Sequence, residues 1–282
     1  MKKACIVLVV LLLVLLGLSA AIALFQKDMP IGEKVAVVRV EGPILDSKNT
    51  IEELKDYVTN QSVKAIILRV DSPGGAVAPS QEIYEEVRKA AAKKKVVVSM
   101  GSVAASGGYY ISAPASRIVA NPGTLTGSIG VIMEIPNLEG LLNKVGVKTE
   151  VIKSGEHKDM ASAFRGIGKE ERVILQNVLD DVHEQFIDAV VEGRKMLPEN
   201  VRKIADGRVF TGRQAVKAGL VDELGNLEDA VKTAAKLAGI SGEPSVLDKK
   251  EKTSLTDFLR GKLPKELTDL VPSVSIKYLF AP

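Results

Sequence analysis

Two hydrophobic periods alternate along most of the chain. Short runs rich in β-branched residues read as strands: Val35–Val40, Ala65–Val70, Val96–Val98, Arg117–Ala120 and Lys148–Lys153. Between them lie polar segments with an apolar residue every third or fourth position, the spacing of one helix face. The first is Thr50–Asn60, where Ile51, Leu54 and Val58 share a face and Asn49 is an N-cap candidate. Ser80–Lys94 is a charged amphipathic helix. A short helix follows Ser106 and runs through Ile111, and another covers Leu138–Lys144. Lys169–Lys195 is the longest, with Leu175, Leu179, Val182, Phe186 and Ala189 repeating along it. Two small helices punctuated by Gly207 and Gly219 follow, then Asn226–Ala238. Strands alternating with helices predict an α/β fold with a largely parallel sheet covered by helices.

The ends differ. Lys2 and Lys3 precede an apolar run from Ala4 to Phe25, long enough to span a bilayer as a helix. It reads as an uncleaved anchor with the lysines inside and the domain outside. The rival is a cleaved signal peptide, since Ala21-Ile22-Ala23 has the form of a cleavage site. The expected division is a signal anchor or signal peptide over 1–26, a linker over 27–34, a catalytic domain over 35–240 and a tail over 241–282. From Lys249 the chain turns polar. Leu255, Phe258, Leu259 and Leu263 suggest a short amphipathic helix ending at Pro264.

Composition narrows the chemistry. The chain has 282 residues, 46% hydrophobic and 26% charged, so a folded core is expected. A net charge of +3 and 4% aromatics make no case for nucleic acid. Cys5, the only cysteine, lies in the N-terminal run, which excludes disulfides, cysteine-bound zinc and thiol nucleophiles from the globular part. No metal or cofactor site is expected. Only His157 and His183 could complete a Ser-His-Asp triad.

The candidate chemistry starts at Val96–Tyr110, where a strand feeds through Gly101 and small residues to Ser106-Gly107-Gly108. Small residues let a substrate approach a serine hydroxyl at such a turn. On this stretch alone, tight packing of a strand against a helix explains the residues as well as catalysis does. A serine is a weak nucleophile until a base takes its proton. His183 sits beside core positions of the long helix, where a structural or surface role is the better reading, and His157 has no carboxylate clearly placed to orient it. Lys158, in the loop Ser154–Arg165, could serve if its amine were neutral, although solvation is the default for a loop lysine. An oxyanion hole needs backbone N–H groups, and Gly74-Gly75 follow the second strand on the same sheet edge as Ser106. A type II turn after Pro73 accounts for the same glycines.

Five segments together resemble the signal peptide peptidase A family of membrane-bound Ser-Lys proteases. They are Asp71–Gly75, Ala104–Tyr110, Leu125–Gly130, Ser154–Asp159 and Ala205–Gly212, in the family's order. The resemblance implies a crotonase-like (Clp-protease-like) α/β fold with an N-terminal transmembrane helix. It implies Ser106 as nucleophile, Lys158 as general base, Ser128 as the hydroxyl that holds the lysine, and Gly75 with Gly107 as oxyanion-hole donors. It also implies hydrolysis of cleaved signal peptides and other apolar peptides at the cell membrane by a single-pass protein with an extracytoplasmic domain. Relatives assemble into homo-oligomeric rings, so the dyad could form within one chain or between neighbours. One departure is Ser162-Ala163, where relatives tend to carry Ser-Pro. The rivals are an acyl-CoA enzyme on the same fold and a catalytically inactive membrane scaffold.

Overall fold

A computed structural model describes residues 11, 14–17, 33–248 and 276–279. The N-terminal run lies mostly outside the described residues; within it, 11 and 14–17 are helical. Among the described residues no helix is long and apolar enough to cross a membrane. The expected tail helix over 255–263 also lies outside them.

The first half of the domain is β1 (Lys34–Glu41), α1 (Lys48–Thr59), β2 (Val63–Ser72), β3 (Gly74–Ala76), α2 (Val77–Lys93), β4 (Lys95–Ala105), α3 (Gly107–Ser112), β5 (Arg117–Ala120), β6 (Leu125–Gly127) and β7 (Ile132–Met133). The second half is α4 (Glu139–Lys144), α5 (Lys169–Arg194), α6 (Pro198–Arg202), β8 (Val209–Thr211), α7 (Gly212–Lys217), β9 (Glu223–Leu224), α8 (Leu227–Leu237), β10 (Ser245–Asp248) and β11 (Ile276–Leu279). The main sheet runs β10-β1-β2-β4-β5-β9, every pair parallel.

Alternation along the central strands sends side chains to two buried faces, as parallel sheets require. Val38, Val40, Ile66, Leu68, Val96 and Val98 pack with Leu54, Tyr57, Ile83, Val87, Tyr109 and Phe186 from the helices on one face. Val35, Val37, Ala65, Ile67, Val97 and Val119 pack against Ala230, Ala234 and Ala235 of α8 on the other. The expected helix–strand order is observed, with three corrections. The first helix begins at Lys48, one residue ahead of the expected Asn49 cap, and its N-cap position is Ser47. Lys148–Lys153 forms no strand and is exposed. Ser245–Asp248, assigned to the tail, instead extends the sheet beside β1.

What positions the site is β4. The expected third strand covers Val96–Val98, but β4 runs on through Gly101 to Ala105. A Cβ on Gly101 would stand 2.6 Å from the Asp71 carboxylate, so the glycine makes room for that side chain. Asp71 Oδ1 then accepts from the Val103 N–H at 3.1 Å. Here the register against β2 jumps, from Val70↔Met100 to Ser72↔Ala104. Beyond the jump β4 leaves β5 and pairs with β6 through Val103, Ala104 and Ala105. This bulge re-aims the end of the strand, a common use of bulges beside functional sites, and delivers the chain to Ser106.

Candidate active site

Ser106 occupies the turn between β4 and α3. Its φ is 53° and ψ −117°, a sparsely populated region for a residue with a side chain. Such strain persists only where the surroundings enforce it, and it clusters at functional sites. The Ser106 N–H donates to Gly127 O at 2.8 Å, and its carbonyl accepts from Tyr110 N at 2.8 Å. The residue is 1% exposed, yet its Oγ has no hydrogen-bond partner among the described residues. Buried hydroxyls are nearly always partnered, so an orphan demands an explanation.

Behind Ser106, helix α3 is locked in place. The Tyr109 hydroxyl donates to Leu220 O at 2.9 Å, and burial holds its phenol well above the ordinary range. Tyr110 packs between Tyr84, tilted against it, and Phe186, edge to face, with centroids 5.0 and 4.9 Å away. Burial pushes the Tyr110 phenol up to about 12.

The two expected oxyanion-hole glycines lie together beside this turn. A Cβ on Gly107 would stand 3.1 Å from both Gly74 Cα and Gly75 N and 2.8 Å from Ser80 Oγ. Gly107 opens α3, so its N–H has no acceptor within that helix. Gly75 has no room for a side chain, because a Cβ there would lie 2.1 Å from Ile44 O. Ile44 N accepts this close approach by donating to Gly74 O at 2.9 Å, and Ala76 N donates to Ile44 O at 2.8 Å. On its other edge β3 pairs antiparallel with β11, Tyr278 opposite Gly75 and Leu279 opposite Gly74. β11 also pairs with β7. The glycine strand beside Ser106 therefore presents a backbone edge that accepts an extended segment.

Ser128 follows β6, one residue past the Gly127 that holds Ser106. It too has positive φ, 50°, and its N–H donates to Arg208 O at 2.9 Å. Ser128 lines a cavity of about 560 Å³ with Ile132, Leu179, Asp180, His183 and Asp206. His183 was read as structural or surface; its Nε2 is buried at this cavity without a partner among the described residues.

Lys158 stands apart from this group within one chain. It is exposed, and no hydrogen bond or ion pair joins it to Ser106 or Ser128 among the described residues. The segment leading to its loop has few apolar anchors: Leu141, Val145, Val151 and Ile152 all face outward, Ile152 completely. The loop is held by charge. Arg165 and Lys153 hold the Asp159 carboxyl well below the ordinary carboxylate range. Arg165, with the Gly168 N–H, holds Glu171 at about 2. Neither sequence motif nor periodicity singled out Arg165; its only signal is a spacing of six residues from each of these two acids.

Both depressed carboxyls titrate in the unfolded chain near pH 4. The network's contribution is thus complete above about pH 4 and is lost as pH falls toward about 2. Limited proteolysis across that range should show cutting within 153–165 before the β-sheet loses its circular-dichroism signal. Simultaneous loss of both would show that the network does not act locally.

A parallel sheet whose strand ends in a strained serine turn beside two glycines makes this an α/β protein consistent with a Clp-protease-like domain, and a Clp protease family model matches residues 36–122. A second model, described as peptidase family S49, matches residues 88–241. The chain belongs to that family, the signal peptide peptidase A family. A Synechocystis protein provisionally named protease slr0021 is 47% identical over 218 residues, covering 77% of this chain and 78% of the relative. Protease 4 of Salmonella typhi is 39% identical over 260 residues, covering 86% of this chain. The chloroplastic serine protease SPPA of Arabidopsis thaliana is 34% identical over 236 residues, covering 80% of this chain. The chain spans 42% of the Salmonella protein and 35% of the Arabidopsis one.

Proposed function

We propose that this protein is a membrane-anchored serine endopeptidase that cuts apolar peptides, cleaved signal peptides among them, through Ser106 and Lys158. The observation that carries the reading is the orphaned, buried Ser106 Oγ on a strained turn beside the Gly75 and Gly107 amides. The glycine strand supplies the second requirement. An extended peptide can pair along Gly74–Ala76 in the place β11 takes, setting a carbonyl beside the serine. The Ala4–Phe25 run fits a single-pass anchor that places the domain outside the cytoplasm.

Lys158 is exposed in its own chain, so the base reaches Ser106 from a neighbouring copy in a ring. The outward-facing Leu141, Val145, Val151 and Ile152 give the loop an apolar surface to bury on assembly. Burial under a neighbour removes water from the lysine and favours its neutral form. Ser128 Oγ holds the amine toward the nucleophile. Neutral Lys158 takes the Ser106 proton, and the Oγ attacks the peptide carbonyl. The Gly75 and Gly107 N–H groups stabilise the oxyanion. The lysine then gives its proton to the leaving amine, which departs from the acyl-enzyme. Lys158 then takes a proton from water, which attacks the acyl carbonyl; the acyl–Oγ bond breaks and the lysine returns its proton to Ser106 Oγ. Assembled Ser106→Ala and Lys158→Ala proteins should both fail to cleave an apolar fluorogenic peptide, and full activity in either removes the dyad. Turnover of an acyl-CoA in place of peptides would favour the acyl-CoA enzyme instead.

A further inference from the structure

We propose that Arg165 is the positioning residue of the base, clasping the Lys158 loop to the start of α5; the proposal rests on the reading of Lys158 as that base. The segment between β7 and α5 contains one short helix and no strand; Leu141, Val145, Val151 and Ile152 face outward, while Leu142, Met160 and Ile167 are only half-buried. Packing within the chain therefore fixes the place of Lys158 only in part. Polar contacts add to it, and those made by its neighbour Asp159 converge on one guanidinium.

Arg165 Nε donates to Asp159 Oδ2 at 2.9 Å, and Nη2 donates to Asp159 Oδ1 at 2.9 Å and to its carbonyl at 3.3 Å. Asp159 is the residue next to Lys158. The same guanidinium turns to Glu171, Nη1 donating to Oε2 at 2.8 Å and Nη2 to Oε1. Glu171 is buried, 7% exposed. It also accepts the Gly168 N–H at 2.9 Å, which ties it to the first turn of α5. That helix is anchored in the core by Phe186 and Val190. A second cation completes the clasp, Lys153 Nζ donating to Asp159 Oδ1 at 2.7 Å and to Glu156 O at 2.6 Å.

The planar five-donor fork is what lets one side chain hold two carboxylates. A lysine at 165 keeps the charge and the partner for buried Glu171 but cannot bridge both acids in fixed geometry. An alanine leaves Glu171 buried and unpaired, which threatens the fold itself. Arg165→Lys is therefore the informative variant, and a small displacement of a catalytic group is enough to cost about 10- to 100-fold in rate.

In the full-length assembled protein, Arg165→Lys should lower kcat for an apolar peptide about 10- to 100-fold, with KM within about twofold. Amide exchange over 155–162 should rise while the core strands keep their protection. Arg165→Ala should lose at least as much rate. Parent-like kcat in Arg165→Lys, or unchanged exchange over 155–162, overturns the proposal. Lys158→Ala, measured alongside, separates the two claims. If it is inactive while Arg165→Lys is fully active, only the clasp is wrong. If it is fully active, the base assignment fails and the clasp's catalytic role falls with it.

Discussion

Replacing Ser106 by alanine should cut peptide hydrolysis by about ten-thousandfold or more while leaving the fold intact. A covalent nucleophile has no substitute in its active site, and losses of this order follow its removal. The fold should survive because the Ser106 Oγ makes no hydrogen bond among the described residues. Ser106→Gly sharpens the test. A glycine adopts φ 53° and ψ −117° without the strain a Cβ imposes there. Strain of this kind is of order 1–3 kcal/mol, partly offset by the extra freedom glycine gives the unfolded chain. Ser106→Gly should therefore be inactive yet more stable than the parent by about 1 kcal/mol in urea denaturation. A destabilised Ser106→Gly protein would mean that the backbone there is not strained.

The second large effect is expected at Gly75. An alanine Cβ would lie 2.1 Å from Ile44 O, a distance no backbone tolerates. Either β3 or the Ile44 segment must move, breaking the bonds from Ile44 N to Gly74 O and from Ala76 N to Ile44 O. Overpacking of this kind costs about 1–3 kcal/mol and sometimes more. The same movement carries the Gly75 N–H away from the carbonyl it is assigned to polarise, which alone is worth about 100- to 1,000-fold in rate. Gly75→Ala should thus lose both stability and at least that much kcat, read by thermal unfolding and peptide cleavage. A stable, active Gly75→Ala enzyme would contradict both the packing and the oxyanion role.

The main sheet and its covering helices were legible because their signal is local. Val35–Val40 and Ala65–Val70 are short apolar runs rich in β-branched residues, and Phe186 and Ala189 sit at helical spacing on the longest helix. The short strands β6, β8 and β9 were not, since two or three residues carry no period; β6 pairs with β4 only beyond its bulge, and β8 pairs with β6 in turn. Lys148–Lys153 misled for a physical reason. Val151 and Ile152 look like strand residues, but their apolar surface faces out of the chain, where the proposed ring would cover it. β11 was hidden in a stretch read as tail, although Ile276, Tyr278 and Leu279 hint at a strand.

The site divides the same way. Ser106, Gly75, Gly107 and Ser128 were singled out by their motifs, and the structure brings them to one sheet edge. Lys158 was singled out with them, but the single chain leaves it exposed. The Arg165 clasp could not be read at all. Asp159, Arg165 and Glu171 look like ordinary surface charges until the loop folds back on α5.

The central claim is that Ser106 of one copy works with Lys158 of another. Co-assembly of Ser106→Ala and Lys158→Ala chains in equal amounts tests it most directly. Each homo-oligomer should be inactive. In mixed rings a Lys158→Ala chain keeps its serine and can receive the lysine of a Ser106→Ala neighbour. Random mixing should then restore about one quarter of parental peptide cleavage. Mixed rings, shown by mass spectrometry to contain both chains, that stay as inactive as either parent would contradict the account.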